Sequence, residues 1–589
     1  MPGTQSNRNS PFMVGVSGHR DLDPGDSPRL REAVTDFVQQ LKSQLPDTEL
    51  RLIVGMAQGA DLLVAETALG LGVPVEAVLP MPLEHYAADF DERTLACLRE
   101  LLRHPQVRCV ELSAHMAAAA GRGPHSREQR DAMYANLTDT LIRRSSLLLA
   151  LWDGRGSQLP GGTADTVLRY LGVRNEENRE TDSIEFIEPG MEVDAESDTA
   201  PRLVYWTPAA RSGSAGKEAA ARTPCYLVGA GDNVLQVLPT MPARLKRQLA
   251  ELNAYNLEYR HLAVAGRLST PDSLVASLPP GVALPPHTRL EDIDLQYGKA
   301  DALAIFYQRR SDLLFDLFTF MAFAMGVAYL IYEKLTESRM LLMAYLLTLL
   351  SSLGLYYVLQ GKRWFGKHLT YRALAETLRA RFYLRLAGAD QRMDAGEVLA
   401  LSGIERFRGF GWIGCVLKGI EAADDRIDPD RSLGTASVEQ AWIESQFRYF
   451  TRKVGQLEKA SHRVKRMRHF LFVAILIVIS LLFAFGEPLH RIDMGLGVPV
   501  KNILTFAMGF MAVLLGVWEL HQDKMATREL LWQYRNQLSH FARAKTQLGR
   551  MASARRRNDV LVELGKDSLM ESYLWAIHRY HREHEPPAA

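Results

Sequence analysis

The chain has 589 residues, and its 69 Lys and Arg balance 68 Asp and Glu to give a formal net charge of +1. Charged residues make up 23% and apolar residues 47%, an ordinary globular mixture that excludes wholesale disorder and fibrous repeats. So even a balance offers nucleic acid no global attraction, and no nucleic-acid partner is expected. The length corresponds to about four domain-sized units. A mean hydropathy of −0.10 averages a polar first half with a second half that carries several membrane-length apolar runs.

Residues 1–11 are polar and lack a basic stretch running into an apolar one, so no signal peptide and a cytoplasmic first half are expected. A short apolar run, Phe12 to Val16, ends in Ser17-Gly18-His19-Arg20. Leu30 to Leu45 has helical spacing. Leu50 to Val54 reads as a second buried strand, broken at Gly55 to Ala60 and followed by a helix from Asp61 to Leu71. Val75 to Leu79 is a third strand. Asp131 to Arg144 reads as a helix, Ser146 to Trp152 as a strand, and Pro160-Gly161-Gly162-Thr163 opens a segment from Ala164 to Leu171. Strands alternating with helices predict an α/β domain with a mostly parallel sheet.

Such sheets bind ligands at the carboxyl ends of their strands. The candidate residues therefore sit in the turns: Ser17, Gly18, His19 and Arg20; Gly55, Gln58, Gly59, Ala60 and Asp61; Asp153 and Gly154; Gly161, Gly162, Thr163, Asp165 and Thr166. Glycine lets the backbone approach a ligand closely, and free N–H groups at a helix start favour phosphate. Arg20 can bind phosphate bidentately. Asp61 and Asp165 read equally well as helix N-caps. The combination predicts a nucleotide-like ligand. Cys97, Cys109, Cys225 and Cys415 are far apart, with neither C-x-x-C pairing nor a histidine cluster. They read as reduced core residues, and no metal site is expected.

Gly15-Val-Ser-Gly-His-Arg20, Val54-Gly-Met-Ala-Gln-Gly-Ala-Asp61, Leu149-Ala-Leu-Trp-Asp-Gly154 and Pro160-Gly-Gly-Thr-Ala-Asp-Thr166 together resemble the SLOG superfamily. That superfamily unites DNA-processing-A-like proteins with lonely-guy-type phosphoribohydrolases. Tyr86, with Asp89-Phe90, is similar to its sensor branch. The resemblance spans about residues 12 to 210 and implies a Rossmann-like fold that binds a nucleotide-derived ligand, ADP-ribose-like or a cyclic nucleotide. The hydrolytic branch has paired glutamates after its second glycine loop; here that place reads Thr166-Val-Leu-Arg-Tyr170. General acid–base chemistry needs a titratable group in reach. The expectation is therefore binding without turnover and no assigned catalytic residue, with hydrolysis through Asp61 or Asp165 still open.

The acidic stretch 174–200 reads as a surface loop, 209–223 as flexible, Met241 to Arg260 as a helix, and 271–286 as irregular. Four charge-free runs follow: Leu317 to Tyr332, Leu341 to Leu359, Phe470 to Gly486 and Ile503 to Trp518. At 1.5 Å per residue, about 20 residues cross a ~30 Å hydrocarbon core, so four transmembrane helices in two hairpins are expected. Arg309, Arg310, Lys362, Arg363, Lys367, Lys465, Arg466, Arg468, Lys524 and Arg528 all flank one side. The positive-inside rule then puts both termini and the 361–468 segment in the cytoplasm, and the expected location is the cell inner membrane, as a multi-pass protein.

The two hairpins read as a repeat. Amphipathic segments precede them, Tyr297 to Arg310 and Ala441 to Arg468, and Tyr371-Arg372 and Tyr534-Arg535 open the helices that follow. This layout is similar to the SLATT family, two-span modules found beside SLOG domains in bacterial conflict systems. Ala322-x-x-x-Gly326 and Ala512-x-x-x-Gly516 have the spacing of close helix contacts. Asp316 lies at the edge of the first span, placed for an ion path or for pairing with Arg309, and Met325 is a candidate constriction.

The expected layout is thus 12–235 as the sensing domain, 236–295 as connector, 296–400 as the first membrane module, 401–440 as linker and 441–580 as the second module. The resemblances imply a homo-oligomeric, ligand-gated effector that permeabilises the bilayer in antiphage defence; melastatin-type channels carry a related sensor. Two alternatives remain open at this point: a membrane-anchored nucleotide or nucleoside-phosphate hydrolase, and a membrane-localised scaffold.

Overall fold

The computed structural model describes residues 9–112, 126–157, 161–173, 184–187, 202–212, 222–280, 284, 290–389, 398–399, 402–404, 407, 409–420, 437–492, 498–524, 526–551 and 553–581. Most of the acidic stretch 174–200, Pro160, residues 213–221, and residues 281–283 and 285–289 lie outside these. The chain divides into two units, one of residues 1–267, 284–296 and 394–431, the other of 268–283, 297–393 and 432–589.

The first unit is built on a nine-stranded mixed sheet. Strands β1 (Phe12–Gly18), β2 (Leu50–Val54), β3 (Val75–Leu79), β4 (Val107–Glu111), β5 (Leu147–Trp152), β6 (Glu185–Ile187), β7 (Val204–Pro208), β8 (Cys225–Gly231) and β9 (Val234–Leu238) lie in the order 4-3-2-1-5-7-8-9-6. Strands 4, 3, 2, 1, 5 and 7 run parallel; β8 and β9 form an antiparallel hairpin on β7. Asn233, with φ of 56°, turns that hairpin. Buried on both faces, β1, β3 and β5 read as near-continuous apolar runs, as central parallel strands do.

Helices α1 (Ser27–Gln44), α2 (Ala60–Gly70), α3 (Glu92–Leu102), α4 (Arg127–Arg144) and α5 (Thr163–Leu171) connect the strands. α1 buries Leu30, Val34, Phe37, Val38 and Leu41, one apolar stripe at helical spacing. α4 starts at a capping box in which the Ser126 hydroxyl accepts from the Gln129 N–H and the Gln129 side chain accepts from the Ser126 N–H. It ends at Arg144, whose guanidinium meets the Glu76 carboxylate of β3 through two bonds of 2.9 and 2.8 Å.

Helix α6 (Ala243–Val264), expected to lie in a connector, belongs to this same unit. Its Asn256 amide donates to the Ser10 carbonyl and its carbonyl oxygen accepts from the Ser10 N–H, each at 3.1 Å. The short helix Ile413–Ile420, within the expected linker, also packs here, where Lys418 donates to the Ser145 carbonyl at 2.8 Å.

The second unit is helical. A 45-residue helix, α7 (Leu290–Lys334), enters it and is followed by α8 (Arg339–Gln360) and α9 (Trp364–Leu386). A 46-residue helix, α10 (Ser445–His490), is followed by α11 (Val500–Lys524) and α12 (Thr527–Leu548), and α13 (Ala554–His581) closes the chain. The repeat extends to single residues: α9 and α12 each start after a left-handed non-glycine, Arg363 at φ 47° and Ala526 at φ 48°. The expected amphipathic segments continue into the first and third apolar runs as unbroken helices. Near the end of the third run Phe485 departs from helical geometry, three residues before Pro488, so α10 is kinked there.

Among the described residues, four helices are long and apolar enough to cross a membrane, and almost none of the residues in their apolar windows is buried. Phe483 is 93% exposed and Leu313 69%. Apolar faces of this extent need a nonaqueous neighbour. The first and fourth apolar helices pack antiparallel. A Cβ on Gly326 of α7 would stand 2.6 Å from Val513 of α11, and one on Gly509 would stand 2.7 Å from Leu330. Gly516 faces open space, so the second glycine at this contact is Gly509, which the small-residue spacing did not single out. Asp316 lies 3.9 Å from His521 of α11 and is not paired with Arg309.

Candidate functional site

The sheet's connections change direction between β1 and β5: β2, β3 and β4 extend to one side of β1, and β5 and β7 to the other. A cavity of about 510 Å³ opens at the carboxyl ends of these two strands. Its size lies within the ~300–1,000 Å³ typical of ligand pockets, and its place is where open parallel sheets bind ligands.

Ser17, Gly18, His19 and Arg20 line it from the end of β1, Asp153 from the end of β5, and Gly161, Gly162, Thr163 and Thr166 from the start of α5. Asp61 and Tyr86 line it from the side of β2 and β3. Gly55, Gln58, Gly59, Ala60, Gly154 and Asp165 do not line the cavity; several of them shape it from behind. A Cβ on Gly59, at φ 84°, would stand 2.4 Å from the Arg20 carbonyl oxygen and 2.6 Å from that of His19. The Ala60 N–H donates to the His19 carbonyl at 3.0 Å, so the first and second turns are joined through backbone. Gly154 lies against the Trp206 ring, and Gln58 is exposed.

Asp61 and Asp165 are not N-caps. The N-cap positions of α2 and α5 are Gly59 and Gly162. Each aspartate sits inside its helix and reaches back four residues: Asp61 accepts from the Ala57 N–H at 3.1 Å, and Asp165 from the Gly161 N–H at 3.0 Å. This ties down two glycine turns. The start of α5 has no side-chain cap, and its first residues, Thr163 and Ala164, line the cavity.

The opposite wall comes from α4, which sequence reasoning missed. Asp131, Tyr134 and Thr138 line the cavity at i, i+3, i+7 spacing, the polar stripe that marks one helix face. The Arg20 guanidinium lies 4.9 Å from the Tyr134 ring centroid, and the Asp89 carboxylate accepts from both Tyr134 and Arg130. The Tyr86 hydroxyl donates to the Gly55 carbonyl at 3.2 Å, and its ring meets Phe90 edge-on. Asp153 donates its N–H to His19 Nε2 at 3.0 Å. Burial works against the Asp153 charge, but the His19 ring and the Arg155 N–H outweigh it and hold the carboxyl below its usual range. Arg155 and Arg211 complete the rim, and Arg211 pairs with Asp21.

Asp61 is the one lining carboxyl driven the other way. Burial pushes its pKa up to about 7, against the pull of the Ala57 N–H and of Arg20. Between about pH 4 and pH 7 the native state keeps a proton that the unfolded chain has released, so stability falls as pH rises through this window. Asp61→Asn keeps an oxygen for Ala57 and removes the titration. The variant should gain about 2 kcal/mol over wild type at pH 8, roughly 4–8 °C in melting temperature, and nothing at pH 4. Melting curves of both proteins across this range check it, and parallel profiles would disprove it.

Among the described residues, no group of three or more His, Cys, Asp or Glu side chains is placed to hold a metal ion. All four cysteines are free thiols; Cys225 and Cys415 are buried and Cys109 is exposed. No protein-family model matches the chain, and no curated protein matches it.

Proposed function

We propose that the first unit is a Rossmann-like sensor of a nucleotide-derived anion, and that the second is a membrane module whose spans it controls. One observation supports this reading most: a 510 Å³ cavity at the β1/β5 crevice brings together an uncapped helix start, a guanidinium stacked on a tyrosine and one buried carboxyl, Asp61. The uncapped N–H groups of α5 suit a phosphate. The Arg20–Tyr134 face suits a flat base or a second charge. ADP-ribose-like and cyclic nucleotides both combine these features.

In this reading the four apolar helices lie in the cell inner membrane with both termini cytoplasmic, since the basic flanks lie on one side. Ligand binding acts by favouring one arrangement of the chain over another. The spans of a homo-oligomer then open, and the permeabilised membrane serves antiphage defence, as the SLOG and SLATT resemblances imply.

Binding is tested with the full chain in detergent, by calorimetry against adenine nucleotides, ADP-ribose and cyclic nucleotides. Gly162 has φ of −76°, which any residue adopts, so Gly162→Val keeps the backbone and fills the space before the Thr163 and Ala164 N–H groups. The expected result is saturable heat for wild type and affinity at least about tenfold lower for the variant, a loss of about 1.4 kcal/mol. Wild type that gives no heat with any of these overturns the sensor reading.

A further inference from the structure

The helical unit encloses a cavity of its own, about 290 Å³, that none of the foregoing uses. Five helices converge on it, and its wall includes Asp312, Phe365 and Ala526, each next to or within a few residues of an apolar helix. We propose that this cavity is a second ligand site, one that takes a small phosphate-bearing anion.

Charge and its confinement carry the argument. Four cations line the space, Arg372, Arg379, Lys453 and Arg579, against two carboxylates, Asp312 and Glu376. Glu376 is shared: one oxygen meets Arg372 and the other meets Arg379, at 2.5 Å each. Asp301, behind the wall, takes a second contact from Arg372 at 3.3 Å, and the Tyr297 hydroxyl accepts from Arg379 at 2.7 Å. Even with Asp301 counted, cations exceed carboxylates by one. The surplus of cations among the described lining residues gives the cavity a positive potential, and that favours an anion.

The repeat supplies a control within the same chain. Arg535 stands in α12 where Arg372 stands in α9, each after a tyrosine and each nine residues past the left-handed residue. Arg535 meets Glu458 on the open surface, with both side chains more than a third exposed. The Arg372 and Glu376 side chains are 33% and 20% exposed, so the first pair is drawn further in than the second. The remaining lining fits the same ligand class. Lys453 lies over the Tyr449 ring at 5.8 Å, and Gln446, Gln533 and Tyr534 offer neutral donors. The volume sits at the lower end of ligand pockets, which suits a phosphate with a short substituent and excludes a dinucleotide.

That chemistry is shared by a free phosphate and by the headgroup of an anionic phospholipid. The test uses the full chain in nanodiscs of phosphatidylcholine or of phosphatidylglycerol, titrated with sodium phosphate against sodium chloride of equal ionic strength, with melting temperature as the readout. Lys453→Gln leaves the Arg372–Glu376–Arg379 cluster intact, so it should fold. In phosphatidylcholine, wild type should show saturable stabilisation by phosphate, and Lys453→Gln should need at least tenfold more. If phosphatidylglycerol abolishes the response, the headgroup is the occupant; if the response persists there, free phosphate is. Both outcomes support the site. No phosphate response in phosphatidylcholine, or an equal response from Lys453→Gln, overturns it.

Discussion

Glu76→Met and Arg144→Met should each destabilise the sheet unit by about 3–5 kcal/mol, while the two combined should recover most of the loss. Glu76 stands on β3, an otherwise apolar strand with parallel neighbours on both sides, and Arg144 ends α4; both side chains are 1% exposed. A guanidinium suits a helix C-terminus, and the fork geometry matches the carboxylate oxygen for oxygen. Removing one partner leaves the other side chain buried without the group its fork is matched to. Removing both leaves an apolar surface that neighbouring side chains can fill. A double-mutant cycle measured by denaturant unfolding should therefore give a coupling energy close to the sum of the two single losses. Single variants within about 0.5 kcal/mol of wild type, the range of neutral surface changes, would show that the pair is effectively solvated.

Much of the sheet was legible because its central strands are buried on both faces. β2 and β3 begin and end where the apolar runs predict, and β1 and β5 differ only by a residue or two. β4 was not legible: Val-Arg-Cys-Val-Glu is half polar, as an edge strand needs, and neither alternation nor a continuous run marks it. The β8–β9 hairpin was hidden by the glycines at 229 and 231, which weaken the strand signal while permitting the register shift there.

The three glycine turns were readable one at a time, because positive φ and close backbone approach demand glycine at Gly59 and Gly161. What single turns could not reveal was the wall facing them. Tyr134 and Asp131 reach the cavity only because α4 crosses the crevice, a tertiary fact with a faint local trace in one polar helix stripe. In the helical unit, hydropathy located the spans but not their continuation into internal helices. The amphipathic segments and the apolar runs share one helical period, and no cap residue divides them.

The contact between the first and fourth apolar helices carries the last prediction. Lipid offers helices no hydrophobic drive to associate, so close packing at small residues has to hold them together. Gly326 and Gly509 lie one turn apart along the pair, each facing a branched side chain of the other helix, Val513 and Leu330. A Cβ at either position would come within 2.7 Å of that neighbour, and Val513 has little rotamer freedom to yield. Phe323 against Phe510, ring centroids 5.7 Å apart, and Thr319 against His521 at 3.1 Å complete the seam. Gly326→Leu should force the helices apart along its whole length, whereas Gly516→Leu, which meets open space, should leave it intact. In liposomes loaded with potassium, a nucleotide shown to bind the sensor should release the ion through wild type and through Gly516→Leu, and Gly326→Leu should lose most of that release while still binding the nucleotide. Met325→Asp, one residue along the same helix, should leak without ligand by wetting an apolar constriction. If a bound nucleotide releases nothing from wild type and Met325→Asp is also silent, the spans do not conduct and only anchor the chain. If Gly326→Leu and Gly516→Leu behave alike, release does not depend on this seam.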